Sequence, residues 1–237
     1  MMLKHFFFGF FALISLPVLA QEADPTVQTI KTGSLHGVSA HRGFQVSLRQ
    51  GETSGATVSV DSRLKPYLRT EVRDGILHLT FADLPANLQR QNLTRRAEVT
   101  VRSLQCVEAH SGAHITGNGS FTADECRLEA HSGADIDRID LSAHRVKAEA
   151  RSGATLKACG KTESLEVATA SGATADLLGL QASTVSARAS SGSDLSCQPT
   201  RLLNAHASSG ADIRYKKGAL NNSSIHASSG GSVKPIQ

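Results

Sequence analysis

Apolar and polar residues alternate along most of the chain beyond residue 103, and the alternation restarts about every 20 residues. Each restart carries a Ser-Gly pair, then a small residue, then a mostly branched apolar residue three positions after the glycine. Small or apolar residues also stand three and five positions before it. The seven glycines, spaced by 21, 20, 19, 20, 18 and 20 residues, are Gly112, Gly133, Gly153, Gly172, Gly192, Gly210 and Gly230. A period of two predicts strands, and the regular repeat predicts stacked, near-identical units.

This repeat predicts an all-β fold, a right-handed parallel β-solenoid with about 20 residues per coil over residues 103–237. Such a unit is too short for a strand, a helix and two loops, but it suffices for one coil, stacked about 4.8 Å from the next. The right hand is expected from the chirality of crossover connections. The leucine-rich repeat has a similar period, but its frame of leucines and asparagine is absent. We place the structural glycines at a corner with positive φ.

Residues 29–102 lack the Ser-Gly period but also alternate, as in Phe44-Gln-Val46 and Ala56-Thr-Val58. Asp74-Gly75 is a strong hairpin signal, followed by a strand over Ile76–Phe81. A helical turn is expected around Pro66, and residues 83–96 are polar and irregular. We interpret the segment as a β-rich head that is continuous with the solenoid and caps its first rung, because an uncovered rung would leave an exposed strand edge.

The first 20 residues have the features of a secretory signal peptide. Lys4 precedes an apolar run over residues 6–16, and Val18-Leu19-Ala20 forms a cleavage site with a small final residue. Residues 21–28 are expected to be a flexible N-terminus. No other stretch is apolar enough to span a membrane. The sequence therefore predicts a protein exported to the periplasm, the cell surface or the medium.

The net charge of +4 is small and spread along the chain, with one basic cluster at Arg90, Arg95 and Arg96 that we interpret as a solvated surface. With no Trp and two Tyr in an exported chain, nucleic-acid binding is not expected. We predict no cofactor. No metal site is predicted either, because there is no Cys-x-x-Cys pair and ten histidines make chance adjacency common.

A column of glutamates, four residues before successive glycines, is the main candidate binding site. Stacked like charges repel, so they need cations nearby. One interpretation is a solvated ion-pair network; the other is a polar strip that binds glycan or a divalent cation held by Glu129 and Glu149. The candidate residues are Glu108, Glu129, Glu149, Arg127, Lys147 and Arg151.

Asp194 and Asp212 stand two residues after successive glycines, so stacking would place them about 5 Å apart. This separation suits a retaining glycosidase pair or a coupled acid–base pair. Both are also ordinary residues for an exposed turn. A polysaccharide lyase or hydrolase of the parallel β-helix type is therefore the alternative function.

Four cysteines follow the signal peptide, and export permits disulfides. Cys106 and Cys126 are 20 residues apart, which makes them the candidate pair. Alternation points them to opposite faces, so the bridge needs a bulge, for which the first spacing of 21 supplies one residue. Cys159 and Cys197 lie two coils apart and are expected to stay unpaired.

The chain resembles a bacterial family known as the auto-transporter adhesin, head GIN domain. The matching elements are Phe44-Gln-Val46, Gln50-Gly51, Val58-Ser-Val60, Val72-Arg-Asp-Gly75-Ile-Leu77 and the Ser-Gly-Ala/Ser segments from Ser111 onward. The resemblance implies an exported, β-helical, envelope-associated protein.

Together these features predict a non-enzymatic envelope protein, an adhesin-like binding or scaffolding module that presents a polar solenoid face. The expected partner is a glycan or another envelope protein. The oligomeric state stays open, and a rod that assembles through its last coil is a further alternative.

Overall fold

The computed structural model describes residues 25–30, 33–216, 218 and 220–237. The predicted signal peptide, residues 1–20, lies outside the described residues. The fold is nearly all-β, and its β-solenoid makes about six turns spaced roughly 20 residues apart, as the repeat predicts. The strands are β1 (Thr26–Ile30), β2 (Gly37–Ala40), β3 (Gln45–Gln50), β4 (Gly55–Val60), β5 (Leu68–Arg73), β6 (Ile76–Phe81), β7 (Arg95–Val101), β8 (Cys106–His110), β9 (His114–Gly117), β10 (Ser120–His131), β11 (Asp135–Arg151), β12 (Thr155–Ala170), β13 (Thr174–Ala189), β14 (Asp194–Ala207), β15 (Asp212–Lys216), β16 (Asn222–Ala227) and β17 (Ser232–Ile236).

Strands β8 to β17 stack in parallel from coil to coil. The long strands β11 to β14 run from one Ser-Gly corner to the next. Each of the strands β10 to β13 pairs with the following strand along most of its length. The pairing keeps equivalent residues opposite one another, as in Leu128↔Ala148 and Glu129↔Glu149. The predicted parallel stacking is confirmed.

At every corner both the serine and the glycine have positive φ; for Ser111 and Gly112 the values are 52° and 72°. The Ala113 amide donates to the His110 carbonyl across the pair at 3.2 Å, which closes a type I′ turn. The glycine amide then donates to the serine carbonyl of the next coil, for example from Gly133 to Ser152 at 3.0 Å. The corners therefore form a continuous backbone hydrogen-bond ladder.

The core is a set of columns that run along the solenoid. Alanine fills most positions three before and one after the corner glycine, and Ala130 and Ala134 are fully buried. Larger side chains such as Leu128 and Ile136 fill the next inward positions. Small residues beside the corner leave room for the sharp turn, and branched residues fill the wider middle of each coil.

The head contains one further coil, whose corner lacks the Ser-Gly pair. Arg42 and Gly43 have φ values of 55° and 74°, so they form the same corner as the Ser-Gly pairs. The strands on either side, β2 and β3, pair in parallel with β8 and β9. On their other edges they pair in parallel with β6 and β7. The stack thus follows the order β6–β2–β8 and β7–β3–β9, which is not the order of the chain.

Antiparallel strands close this end of the solenoid. Strand β5 folds back on β6 through a turn at Asp74-Gly75, where φ is 49° and 70°, and β4 pairs antiparallel with β7. A 3₁₀ helix spans Ser62–Tyr67 around Pro66, as expected. The segment predicted to be irregular contains a short α-helix, Ala86–Gln89. Residues 26–28, expected in a flexible terminus, belong instead to β1, which covers the free edge of β4.

All four cysteines are free thiols, so the structure lacks the candidate Cys106–Cys126 disulfide. Cys106 pairs in register with Arg127, and its thiol lies on the outer face, 3.3 Å from Glu108. Cys126 packs into the core. The extra residue of the first spacing lies between Thr116, which pairs with Asp137, and Ser120, which pairs with Asp140. Strands β8 and β10 pair in unbroken register, so this bulge does not bring the two thiols to one face. Burial raises both thiol pKa values to about 12.

The fourth and fifth Ser-Gly coils share a buried hydrogen bond. Thr169 and Ser193 stand where most coils have alanine, and their hydroxyls lie 2.9 Å apart. Ser193 also donates to the Ser190 carbonyl at 2.8 Å. Each hydroxyl therefore gives the other a hydrogen-bond partner.

Replacing Gly172 by Val is expected to destabilise the fold by about 2–3 kcal/mol, the upper part of the range for a strained backbone. Gly172 has a φ of 69° and open space where a Cβ would lie, so the cost is conformational and not steric. Urea unfolding measures it. The control, Gly172→Asn, should cost less because Asn tolerates the left-handed region. Equal and negligible costs for both variants would contradict the corner geometry.

Replacing Ser193 by Ala should cost about 1–3 kcal/mol, because it leaves the buried Thr169 hydroxyl without its partner. The double variant Thr169→Ala/Ser193→Ala restores the alanine pattern of the neighbouring coils and should recover part of that loss. A double-mutant cycle in urea tests the coupling. Purely additive costs would show that the two hydroxyls do not interact.

Candidate functional site

The outer surface of the strands that lead into the first corners is flat and strongly charged. We call it the polar face and define it by Glu108, Glu129, Glu149, Arg127, Lys147, Arg151, His110 and His131. The three glutamates lie directly opposite one another on β8, β10 and β11. The structure thus brings together the residues that the sequence selects as the candidate binding site.

Cations on the neighbouring columns compensate the stacked carboxylates. Arg127 contacts Glu108 at 2.7 Å and Glu129 at 3.6 Å. Arg151 forms an ion pair with Glu149 through its Nε atom. Both glutamates proposed to hold a divalent cation, Glu129 and Glu149, are therefore engaged by arginine.

Glu108 lies deepest in this network. Its burial opposes ionisation, but hydrogen bonds from Ser39 and Cys106 and the charge of Arg127 outweigh it, so the pKa of Glu108 is lowered. A carboxylate held ionised among fixed donors is a preorganised acceptor. This end of the polar face therefore keeps its negative charge even in mildly acidic surroundings.

A ladder of three stacked imidazoles runs beside the glutamates. The ring centroids of His41 and His110 are 4.6 Å apart, and those of His110 and His131 are 5.1 Å apart. The Ser-Gly repeat does not reveal His41, because its corner carries Arg42 in place of serine. The signal was present: Ala40 stands three residues before Gly43, as in the Ser-Gly frame.

Burial and then a neighbouring imidazole lower the pKa of two of these histidines. Besides burial, the neighbouring His110 ring lowers the pKa of His41, and so do His78 and Arg42, whereas Glu108 raises it. For His110 the repelling imidazole is His131, and Glu108 and Glu129 oppose it. Both rings therefore resist protonation in the folded state.

A groove of about 640 Å³ opens beside the polar face. Arg127 and Lys147 line one wall, and Glu166 lies next to Lys147 on the following strand. Glu125 and Arg145, an ion pair, stand across from them. The groove mixes both signs of charge, so it offers donors and acceptors to a polar ligand but no strong net field.

The alternative catalytic pair is brought together and neutralised. Asp194 and Asp212 are register partners on β14 and β15. Arg214 contacts them at 3.3 Å and 3.9 Å, and Ser232 donates to Asp212 at 2.6 Å. Neither aspartate lines the groove beside the polar face. A shared arginine makes the pair an ion-pair cluster, a poor arrangement for a proton donor beside a nucleophile.

Within the described residues, no group of three or more His, Cys, Asp or Glu side chains could hold a metal ion. The helices in the described ranges are all too short or too polar to cross a membrane.

The family model described as "Putative auto-transporter adhesin, head GIN domain" matches residues 34–219, which is most of the chain. The chain belongs to this family. The match includes the head and the first six Ser-Gly corners, so the resemblance expected from the sequence is confirmed. None of the curated proteins matches the sequence.

Solved structures with low sequence identity share the head GIN fold. A "putative adhesin" from Bacteroides fragilis NCTC 9343 has a TM-score of 0.80 at 15% identity, covering 90% of this chain and 97% of that one. Another from Parabacteroides merdae ATCC 43184 has a TM-score of 0.68 at 16% identity, covering 90% and 97%. A third from Parabacteroides distasonis ATCC 8503 has a TM-score of 0.67 at 17% identity, covering 91% and 98%. These likenesses show the architecture and not the ligand.

The lowered pKa values of His41 and His110 predict that this head GIN protein loses stability on acidification. Because both folded values lie below the ordinary 6.5, the unfolded chain binds more protons. Stability is therefore complete above pH 6.5 and falls as the pH drops from 6.5 towards the folded values, below which these two histidines cause no further loss. Carboxylates with lowered pKa values, such as Glu108, lose their contribution only at lower pH.

Urea midpoints measured between pH 7.5 and 5.5 test this expectation. The variant His110→Gln should flatten the decline, whereas His226→Gln, on the exposed strand β16, should leave it unchanged. An equal decline in the wild type and in His110→Gln would contradict a role for the ladder.

Proposed function

We propose that this chain is an exported adhesin-like module that binds a glycan or an envelope protein through its polar face. Membership of the adhesin family supports an envelope-exposed module. Residues 1–20, with their charged start, apolar run and small-residue cleavage site, support export. The partner and the binding face are the new parts of the proposal.

The observation that carries the proposal is the in-register repetition of charge. Glu108, Glu129 and Glu149 occupy equivalent positions on adjacent strands, so acceptors recur at the strand spacing of about 4.8 Å. Arg127 and Lys147 recur beside them in the same way. A repeated array of donors and acceptors suits a partner that is itself extended and repetitive.

Rigidity adds to this match. The polar face lies on continuous paired strands and not on loops, so little conformational entropy is lost when a partner binds. Salt bridges hold Glu108 and Glu149 in place before any ligand arrives. Binding fits this arrangement better than catalysis does, because the one stacked carboxylate pair of the enzyme alternative is bridged by Arg214.

A glycan array with the protein from residue 21 onward, with and without calcium, tests the proposal, and reducing-end release is followed on the same polymers. Binding without release is expected. Glu129→Gln and Lys147→Ala should weaken it about tenfold each, as for a lost charge-assisted hydrogen bond. Lys157→Ala, an exposed lysine beyond the corner, is the matched control and should have no effect.

Binding of the wild type and the same variants to extracts of envelope proteins tests for a protein partner. Release of reducing ends would favour the lyase or hydrolase alternative. Binding that is equally strong in Glu129→Gln, Lys147→Ala and the control would show that the partner contacts another surface.

A further inference from the structure

A second surface, at the capped end of the solenoid, differs in charge from the polar face. Two cavities of about 440 and 610 Å³ share His41 and Thr80 in their walls and so form one continuous depression. We call it the head groove. Strands β5 and β6 form one side of it, and the Arg42-Gly43 corner and the start of β7 form the other.

The head groove has a large excess of positive charge. Four arginines line it, against a single carboxylate, Glu71, which already pairs with Arg73 at 2.6 Å. Within the described residues, the other three form no salt bridge; they are Arg42, Arg69 and Arg95. On the polar face, by contrast, Arg127 and Arg151 each have a carboxylate partner.

Arg42 breaks the local rule of the fold. The equivalent position holds serine at all seven later corners, and here an arginine takes the same left-handed backbone with a φ of 55°. A long side chain gains nothing from that conformation. Residues that break a local preference without a structural gain are concentrated at functional sites. Its guanidinium is exposed at the rim of the head groove.

Arg95 supplies a fixed positive charge at the floor. Its guanidinium lies 5.8 Å from the centre of the Phe81 ring and donates to the carbonyls of Arg42 at 3.2 Å and Leu88 at 3.1 Å. Its Nε atom is buried and has no hydrogen-bond partner. Carbonyl dipoles orient this cation but do not neutralise it, so the site favours an anion.

The rest of the lining identifies the kind of anion. Thr70, Thr80 and Gln89 offer hydroxyl and amide groups. Leu84 is the one large apolar side chain in the walls and is itself buried, so an acyl chain or an apolar protein anchor finds no contact. No aromatic ring other than histidine lines the groove for base stacking.

We propose that the head groove is a binding site for an acidic polysaccharide, whose carboxylate or sulfate groups pair with Arg42, Arg69 and Arg95 and whose hydroxyls bond to the threonines and Gln89. Arg42, Arg69 and Arg95 do not belong to the polar face, so this site stands independently of the function proposed for that face.

Direct binding of the protein from residue 21 onward to three defined polymers tests this site. Polygalacturonate carries carboxylates, dextran sulfate carries sulfates and dextran is neutral. Biolayer interferometry at two salt concentrations should show binding to one or both acidic polymers and none to dextran. The arm that binds identifies the anionic group.

Arg42→Ser is the decisive variant, because it installs the residue of the other seven corners and should fold at least as well as the wild type. It should weaken acidic-polymer binding about tenfold, and Arg69→Gln should act in the same direction. Arg201→Gln removes an equal charge from an exposed position on β14 and should change affinity less than about twofold. Glu129→Gln, on the polar face, should leave this binding unchanged.

Three outcomes would overturn the proposal. The wild type would bind neither acidic polymer, or Arg201→Gln would weaken binding as much as Arg42→Ser, which would mean that only the net charge matters. Alternatively, Glu129→Gln would abolish acidic-polymer binding while Arg42→Ser preserved it, which would show that the polymer binds the polar face and not the head groove.

Discussion

Two consecutive residues of positive φ at each corner, joined to the next coil by a backbone hydrogen bond, are the constraint on which this structure depends. Glycine adopts that conformation freely and serine adopts it at every corner, so the chain turns within these two residues. The bond from the glycine amide of one corner to the serine carbonyl of the next then fixes where the following coil begins. In a strand a slip of one residue would send every side chain to the opposite face. The corner ladder therefore sets the register of the core and of the outer surface together.

Register has opposite consequences inside and outside. Inside, it stacks alanines and branched residues into columns that fill a narrow core. Outside, it stacks like charges at the strand spacing, which would be repulsive without counter-ions. Arg127 and Arg151 supply them on the polar face, and Arg214 does so for Asp194 and Asp212. The head groove lacks that compensation, which is why its arginines stand out as a candidate for an external anion.

Much of the fold could be predicted from the sequence because the repeat is local. The Ser-Gly spacing, the period of two and the Asp74-Gly75 turn each depend on residues that are close along the chain. The coil at Arg42-Gly43 was missed because arginine replaces serine, and because β2 stacks between β6 and β8, out of chain order. The disulfide prediction failed because the extra residue lies between Thr116 and Ser120, outside the stretch over which β8 and β10 pair in unbroken register.

The candidate sites divide along the same line. The polar face follows from the repeat, since equivalent positions in successive coils must lie side by side. The neutralisation of Asp194 and Asp212 could have been foreseen, because Arg214 stands two residues after Asp212 on the same face of a strand. The head groove could not, because residues 42, 69 and 95 meet only through the non-sequential stacking of the head.

Hydrogen exchange at the corner glycines tests the central claim most directly. The amides of Gly133, Gly153, Gly172 and Gly192 each donate to a serine carbonyl of the next coil. They should exchange slowly and close together in rate, whereas the amide of Gly230, in the last described coil, should exchange fast. Fast exchange at all five glycines would show that the corners are independent turns, and that something other than this ladder sets the register of the solenoid.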